Sequence, residues 1–228
     1  MKAFPASGKW YRLMAVMLSR HPVVKGLGTV TFIAVFFAAY FYLLKYPATP
    51  PVTMPFTWVD HMIGFQPLAL PLYISLWLYV SLPPALLASL RELYGYGLAM
   101  TATCLTGLVI FYFWPTVVPE ARIDWSQYPN VSFLKNLDAA GNAFPSLHVA
   151  TAIFSGIYLH RLLQRLGSPA WLLLFNSIWC LGIVYSTVAT RQHVAVDVAA
   201  GLVLGILTAW LSLRLGLLDD TLDTEPGL

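Results

Sequence analysis

Two short polar clusters interrupt a largely apolar sequence: Asn142-Ala143-Phe144-Pro145-Ser146-Leu147-His148 and Arg191-Gln192-His193-Val194-Ala195-Val196-Asp197. Their residue types suit the transfer of a phosphoryl group. His193 and Asp197 are four apart, a spacing that places both on one face of a helix. A carboxylate there accepts from one ring nitrogen and leaves the other as nucleophile or base. His148, from a different helix, supplies a proton to a leaving oxygen. Ser146 adds a hydroxyl donor, and Arg191 a planar, permanently charged fork matched to phosphate oxygens. Pro145 suits a first helical turn, where its missing N–H costs nothing. The N–H groups around Ser146–His148 and the positive end of the helix dipole then favour an anion. Nucleophile, orienting carboxylate, acid and anion clamp make a complete set for transfer through a phosphohistidine.

Taken singly, each residue has a plainer explanation. A lone histidine near a membrane interface is ordinarily a polar boundary residue, and His61 and His160 are read that way. Arg191 alone is accounted for by a snorkelling charge, and Asp197 alone by a partner for a helix end. His148, His193 and Asp197 also form a conceivable zinc ligand set. Arg191 beside them would repel a cation, so an anion explains the group better. Insensitivity to chelators distinguishes the two readings.

The elements that must hold these residues are membrane helices. Of 228 residues, 58% are hydrophobic and 10% charged, and the mean hydropathy is +0.70. Soluble domains carry far more ionic surface. Apolar runs long enough to cross about 30 Å of hydrocarbon fall at 23–44, 67–90, 98–114, 144–163, 169–188 and 194–215. The expected fold is therefore all-α, a polytopic membrane protein built as a six-helix transmembrane bundle. Pro67, Pro71, Pro83 and Pro84 should break or kink the second span. The first run is too long for a signal core and is expected to remain as a span.

Basic residues set the orientation. With the N-terminus inside, the inner segments hold Lys2, Lys9, Arg12, Arg20, Lys25, Arg91, Arg161, Arg165 and Arg214. The outer ones hold only Lys45, Arg122, Lys135 and Arg191. Both termini are then cytoplasmic, and both polar clusters fall on the extracytoplasmic side. Three parts follow: an amphipathic cytoplasmic segment 1–22, a membrane catalytic domain 23–215 with an outer loop 115–143, and an acidic cytoplasmic tail 216–228. In the first part, Trp10, Leu13, Met14, Met17 and Leu18 recur at helical spacing beside basic residues, as in a helix lying on the inner surface. The formal charge of +3 is too small to suggest nucleic acid. Membrane lipids are the expected partners, and Cys104 and Cys180 read as buried thiols without metal spacing.

These residues resemble the type 2 phosphatidic acid phosphatase superfamily. Its second motif, Pro-Ser-Gly-His, corresponds to Pro145-Ser146-Leu147-His148. Its third corresponds to Ser186-Thr187, then His193 and Asp197, running on to Gly201. The resemblance implies His193 as nucleophile, His148 as general acid, Asp197 as the partner of His193, and phosphate contacts from Ser146 and a nearby arginine. It implies no cofactor and no metal. Three departures stand out. Leu147 replaces glycine, and Phe144-Pro145-Ser146-Leu147-His148 resembles the inositol phosphorylceramide synthase branch. Thr187 stands where an arginine belongs, with Arg191 as its substitute. No lysine-rich first motif exists; Trp114–Arg122 takes its place, with Arg122 and then Lys135 as candidate clamps or, equally, solvated loop charges. The implied activity is a membrane phosphatase or phosphotransferase acting on a lipid-linked phosphate or phosphodiester. Water or an alcohol such as inositol is left open as acceptor. A non-catalytic scaffold or transporter is the reading from another class, and it leaves the paired motifs unexplained.

Overall fold

The structure is a computed structural model, and it describes residues 10–121, 123–130 and 141–218. Helix α1 (Trp10–Ser19) is followed by α2 (Pro22–Lys45). A short segment holds β1 (Val52–Thr53) and α3 (Trp58–Ile63). A 3-10 turn at Pro67–Ala69 leads into α4 (Leu70–Ile74) and α5 (Leu76–Leu86). Then come α6 (Leu90–Phe113), β2 (Thr116–Val117), α7 (Leu147–Arg165), α8 (Ala170–Ala189) and α9 (Ala195–Arg214).

Among the described residues, five stretches are long and apolar enough to cross a membrane: Pro22–Lys45, Pro67–Leu86, Leu90–Phe113, Ala170–Ala189 and Ala195–Arg214. They correspond to five of the six expected spans. The remaining one coincides with α7, which has 19 residues but is not among the five. Its position explains its composition. Helix α7 lies inside the bundle, touching α5, α6, α8 and α9, so it needs little lipid-facing apolar surface. Its buried polar positions are satisfied by neighbours. Tyr96 Oη and Ser155 Oγ are 3.1 Å apart, and the Tyr158 hydroxyl donates to Ser212 Oγ at 2.8 Å. Asn176 Nδ2 donates to the Gly156 carbonyl at 3.1 Å and its Oδ1 accepts from the Tyr79 hydroxyl at 2.7 Å. Such pairing is what a polar group away from water requires.

The expected proline breaks occur: the second span is divided into a 3-10 turn and two helices, with Pro83 and Pro84 in the last turn of α5. The third span starts earlier than hydropathy suggested. Ser89 caps α6 by accepting from the Glu92 N–H, and Glu92 meets Arg165 of α7 at 2.8 Å. This pairing lets two charges sit inside the helical segment. Helix α1 forms where the amphipathic spacing placed a helix, with Met17 buried. Residues 1–9 and 219–228, with most of the acidic tail, lie outside the described residues.

Small residues decide how closely the helices approach. A Cβ on Gly201 of α9 would stand 2.5 Å from the Ser146 carbonyl oxygen, and one on Gly205 would stand 2.5 Å from that of Ala150. Four residues apart, they let α9 lie directly on the backbone of α7. At the end of the bundle where α2 finishes and α7 begins, β1 and β2 pair in parallel, Val52 opposite Thr116. The Phe144 N–H donates to Thr116 Oγ1 at 2.8 Å. The approach to α7 is thereby tied to the exit from α6.

Candidate active site

The two polar clusters meet at this end of the bundle. Ser146 is the N-cap of α7, and its Oγ accepts from the Val149 N–H at 3.2 Å. Pro145 therefore precedes the cap and does not occupy the first helical turn as expected. The Ser146 N–H is not free for an anion either, because it donates to the Asp197 carbonyl oxygen at 3.1 Å. That bond is the direct link between the motifs.

The second cluster is a turn rather than a helix face. Helix α8 ends at Ala189 and α9 starts at Ala195, so His193 lies before α9 and Asp197 within its first turn. The His193 N–H donates to the Thr187 carbonyl at 3.1 Å, which pins the turn back onto α8. Asp197 is fully buried, and its Oδ2 accepts from the Val194 N–H at 3.1 Å. The same oxygen stands 3.6 Å from His193 Nδ1. This is ion-pair distance and slightly longer than a hydrogen bond. The expected pairing of these residues by helical spacing is thus replaced by a helix-start geometry, in which the carboxylate caps the helix and faces the imidazole together.

His148, in the first turn of α7, stacks on the Tyr73 ring with centroids 4.0 Å apart, and Trp77 meets it edge-on at 6.1 Å. Its Nε2 is 3.3 Å from the Tyr73 carbonyl oxygen. Two aromatic rings and a carbonyl therefore fix this imidazole's orientation. His148 and His193 line one cavity of about 800 Å³, with Asn142 and Gln192 beside them.

Four buried polar atoms without a hydrogen-bond partner fall in Arg191–Asp197: Arg191 Nη1, Gln192 Nε2, His193 Nδ1 and Asp197 Oδ1. Buried polar groups are ordinarily paired, and a concentration of unpaired ones within seven residues is the pattern a binding site would leave. Arg191 has φ 59°, a left-handed conformation, and its guanidinium lies 5.4 Å from the Phe56 ring centroid. It is held by the turn and an aromatic face rather than by a helix. Among the described residues no three His, Cys, Asp or Glu side chains converge as metal ligands. Arg122 and Lys135 lie outside the described residues.

A model of the PAP2 superfamily matches residues 88–217. The chain belongs to the PAP2 superfamily. The matched stretch runs from the start of α6 through α9 and includes both polar clusters, while α1 to α5 lie before it. No curated protein and no solved structure matches significantly. PAP2 superfamily members are generally phosphatases or phosphotransferases, which supports an enzyme here.

Asp60 was missed in the sequence. Fully buried, it accepts from the Thr57 N–H and hydroxyl, both at 2.7 Å, through Oδ2, and from the Ala195 N–H at 2.9 Å through Oδ1. It therefore caps α3 and α9 at once, two residues from His193. Thr57 followed three residues later by an acid is a helix-start pattern that would have located the cap. Nothing in the sequence pointed to its second partner. Gln192 and Tyr73 were likewise without a role, and only the shared cavity brings them to the histidines.

Proposed function

We propose that this PAP2 superfamily member is a membrane phosphatase or phosphotransferase that acts on a lipid-linked phosphate or phosphodiester through a phosphohistidine. The observation that carries the reading is one cavity wall holding His148 and His193, with buried Asp197 behind His193. Asp197 holds Nδ1 and leaves Nε2 to attack phosphorus. The N–P bond forms as the bond from phosphorus to the leaving oxygen breaks, and His148 protonates that oxygen. Water or an alcohol then attacks the phosphohistidine. His148 takes the incoming proton, and His193 is released. Arg191, Gln192 and the Ser146 hydroxyl bind the phosphate oxygens, with Arg122 and Lys135 as further clamps.

In this reading α7 is the sixth span. Both termini are cytoplasmic and the histidines face the extracytoplasmic side, on the strength of nine inner against four outer basic residues. Transfer to an alcohol, as in an inositolphosphotransferase, is the second reading. It is favoured by the Phe144-Pro145-Ser146-Leu147-His148 sequence and its likeness to the inositol phosphorylceramide synthase branch. The test is to offer purified protein a panel of lipid phosphates and phosphodiesters, with and without inositol. Phosphate release identifies hydrolysis and a new phospholipid identifies transfer. Full activity in His193→Ala would overturn the mechanism.

A further inference from the structure

The cavity that contains the histidines does not end with them. It continues along α2 between that helix and α5 and α6, as far as Val24 and Lys25 at the opposite end of the bundle. Tyr40, whose carbonyl accepts from Asn142 Nδ2 at 3.1 Å, marks the level of the catalytic mouth on α2. At about 1.5 Å per residue, the run from Lys25 to Tyr40 is roughly 22 Å. Half the hydrocarbon core of a bilayer is roughly 15 Å. The slot is therefore longer than one leaflet is deep.

Its chemistry changes along its length. The mouth carries Asn142, His148, Gln192 and His193, and beyond it the wall is apolar, with rings such as Phe36 and Trp77. Two hydroxyls in the wall are satisfied within their own helices: Thr101 Oγ1 donates to the Gly97 carbonyl at 2.7 Å and Ser81 Oγ to that of Trp77 at 2.8 Å. At the far end stands a charge already committed elsewhere. Lys25 Nζ donates to the carbonyls of Met17 at 2.6 Å and Ala85 at 2.7 Å, in the last turns of α1 and α5. An ammonium at two helix C-termini is well held, and it ties the last turns of α1 and α5 together beside this end of the slot. Near this end, Gly28 on α2 and Gly97 on α6 line the cavity, and a Cβ on either would meet nothing within 4 Å. They keep the slot open where a side chain would have room to fill it.

We propose that this slot receives a hydrocarbon tail long enough to pass the bilayer midplane, and that Lys25 at its far end sets the greatest length admitted. The proposal takes from the phosphotransfer reading only that the histidine end receives a phosphate. Much of the slot is built from α2 and α5, outside the stretch matched to the PAP2 superfamily, so tail length is a property of this chain's own helices.

The test uses the full-length purified protein and non-hydrolysable single-tail alkyl phosphonates, graded from shorter than one leaflet to the length of the slot. Binding is measured directly, and phosphate release is measured separately with the matching alkyl phosphates. In the wild type, affinity rises with tail length up to the slot's length and falls beyond it. Gly28→Phe and Gly97→Leu, each adding bulk far from the histidines, leave the shortest phosphonate unaffected and weaken the longest about tenfold. Retained binding of the shortest phosphonate shows that each variant is folded. A wild-type length profile in both variants would overturn the tail site. A shifted profile with neither phosphate release nor transfer to an added alcohol from any substrate would keep the tail site and remove the phosphotransfer reading instead.

Discussion

The backbone N–H of Ser146 donates to the carbonyl oxygen of Asp197 at 3.1 Å. One hydrogen bond thus joins the start of α7, which carries His148, to the start of α9, which holds Asp197 against His193. Gly201, one turn further along α9, permits the approach, because its missing Cβ leaves the Ser146 carbonyl room. The distance between the two histidines is set by backbone contact, not by flexible side chains.

Gly201→Val should therefore act on catalysis as well as on stability. Its Cβ would press on the Ser146 carbonyl and force α9 away from α7, at a cost of about 1–3 kcal/mol. Thermal unfolding in detergent should show a lowered Tm, and kcat should fall at least about tenfold in the protein that remains folded. Unchanged kcat would mean that the spacing of the two helices does not govern the site.

Asp197→Asn separates charge from shape. The amide oxygen can still accept from the Val194 N–H, so the start of α9 should survive. The buried negative charge facing His193 is lost, and the tautomer is no longer fixed. A fall in kcat of about 10²- to 10⁴-fold with little change in KM is expected from steady-state kinetics. A loss confined to KM would point to a binding role.

Asp60→Ala leaves the N–H groups of Thr57 and Ala195 without their acceptor in a buried place. Each such group costs about 1–3 kcal/mol. The variant should lose stability and kcat together, and Asp60→Asn should recover much of both by accepting one of the bonds. Equal defects in the two variants would show that the negative charge, not the cap, is what matters.

Arg191→Lys keeps the charge and loses the planar fork. Nη1 is buried and unpaired, leaving a donor for an anion, so inhibition by inorganic phosphate should weaken about tenfold, the amount expected for one charge-assisted bond. Competition assays with phosphate read this directly. Unchanged inhibition would assign Arg191 to the Phe56 face alone.

The proposed mechanism makes activity bell-shaped in pH, because in it attack needs His193 neutral and departure of the leaving oxygen needs His148 protonated. A substrate with a good leaving group needs less protonation, so its alkaline limb should flatten. Rate–pH profiles for aryl and alkyl phosphates compare the two; identical alkaline limbs would take the acid role from His148.

Local chemistry made much of this protein legible in advance. The apolar runs placed four of the five spans within a few residues, the third starting eight residues earlier than expected, and the prolines between Pro67 and Pro84 broke the second span as their missing N–H groups require. Helix α7 coincides with the expected run 144–163 but is less apolar than the other spans, because neighbouring helices surround it and its residues answer to them. The two polar clusters announced themselves for the same reason: polar groups in an apolar sequence are costly unless used.

The sequence alone determined which residues could do chemistry and that helices in a membrane must carry them. It did so because residue type and the 3.6-residue period act over short stretches of chain. Only the tertiary structure decided that His193 stands before its helix, that Asp60 caps the turn beside it from 135 residues away, and that the cavity runs on to Lys25. Those relations depend on how closely separate helices approach, and the approach is set by Gly201 and Gly205 meeting a backbone that no local pattern specifies.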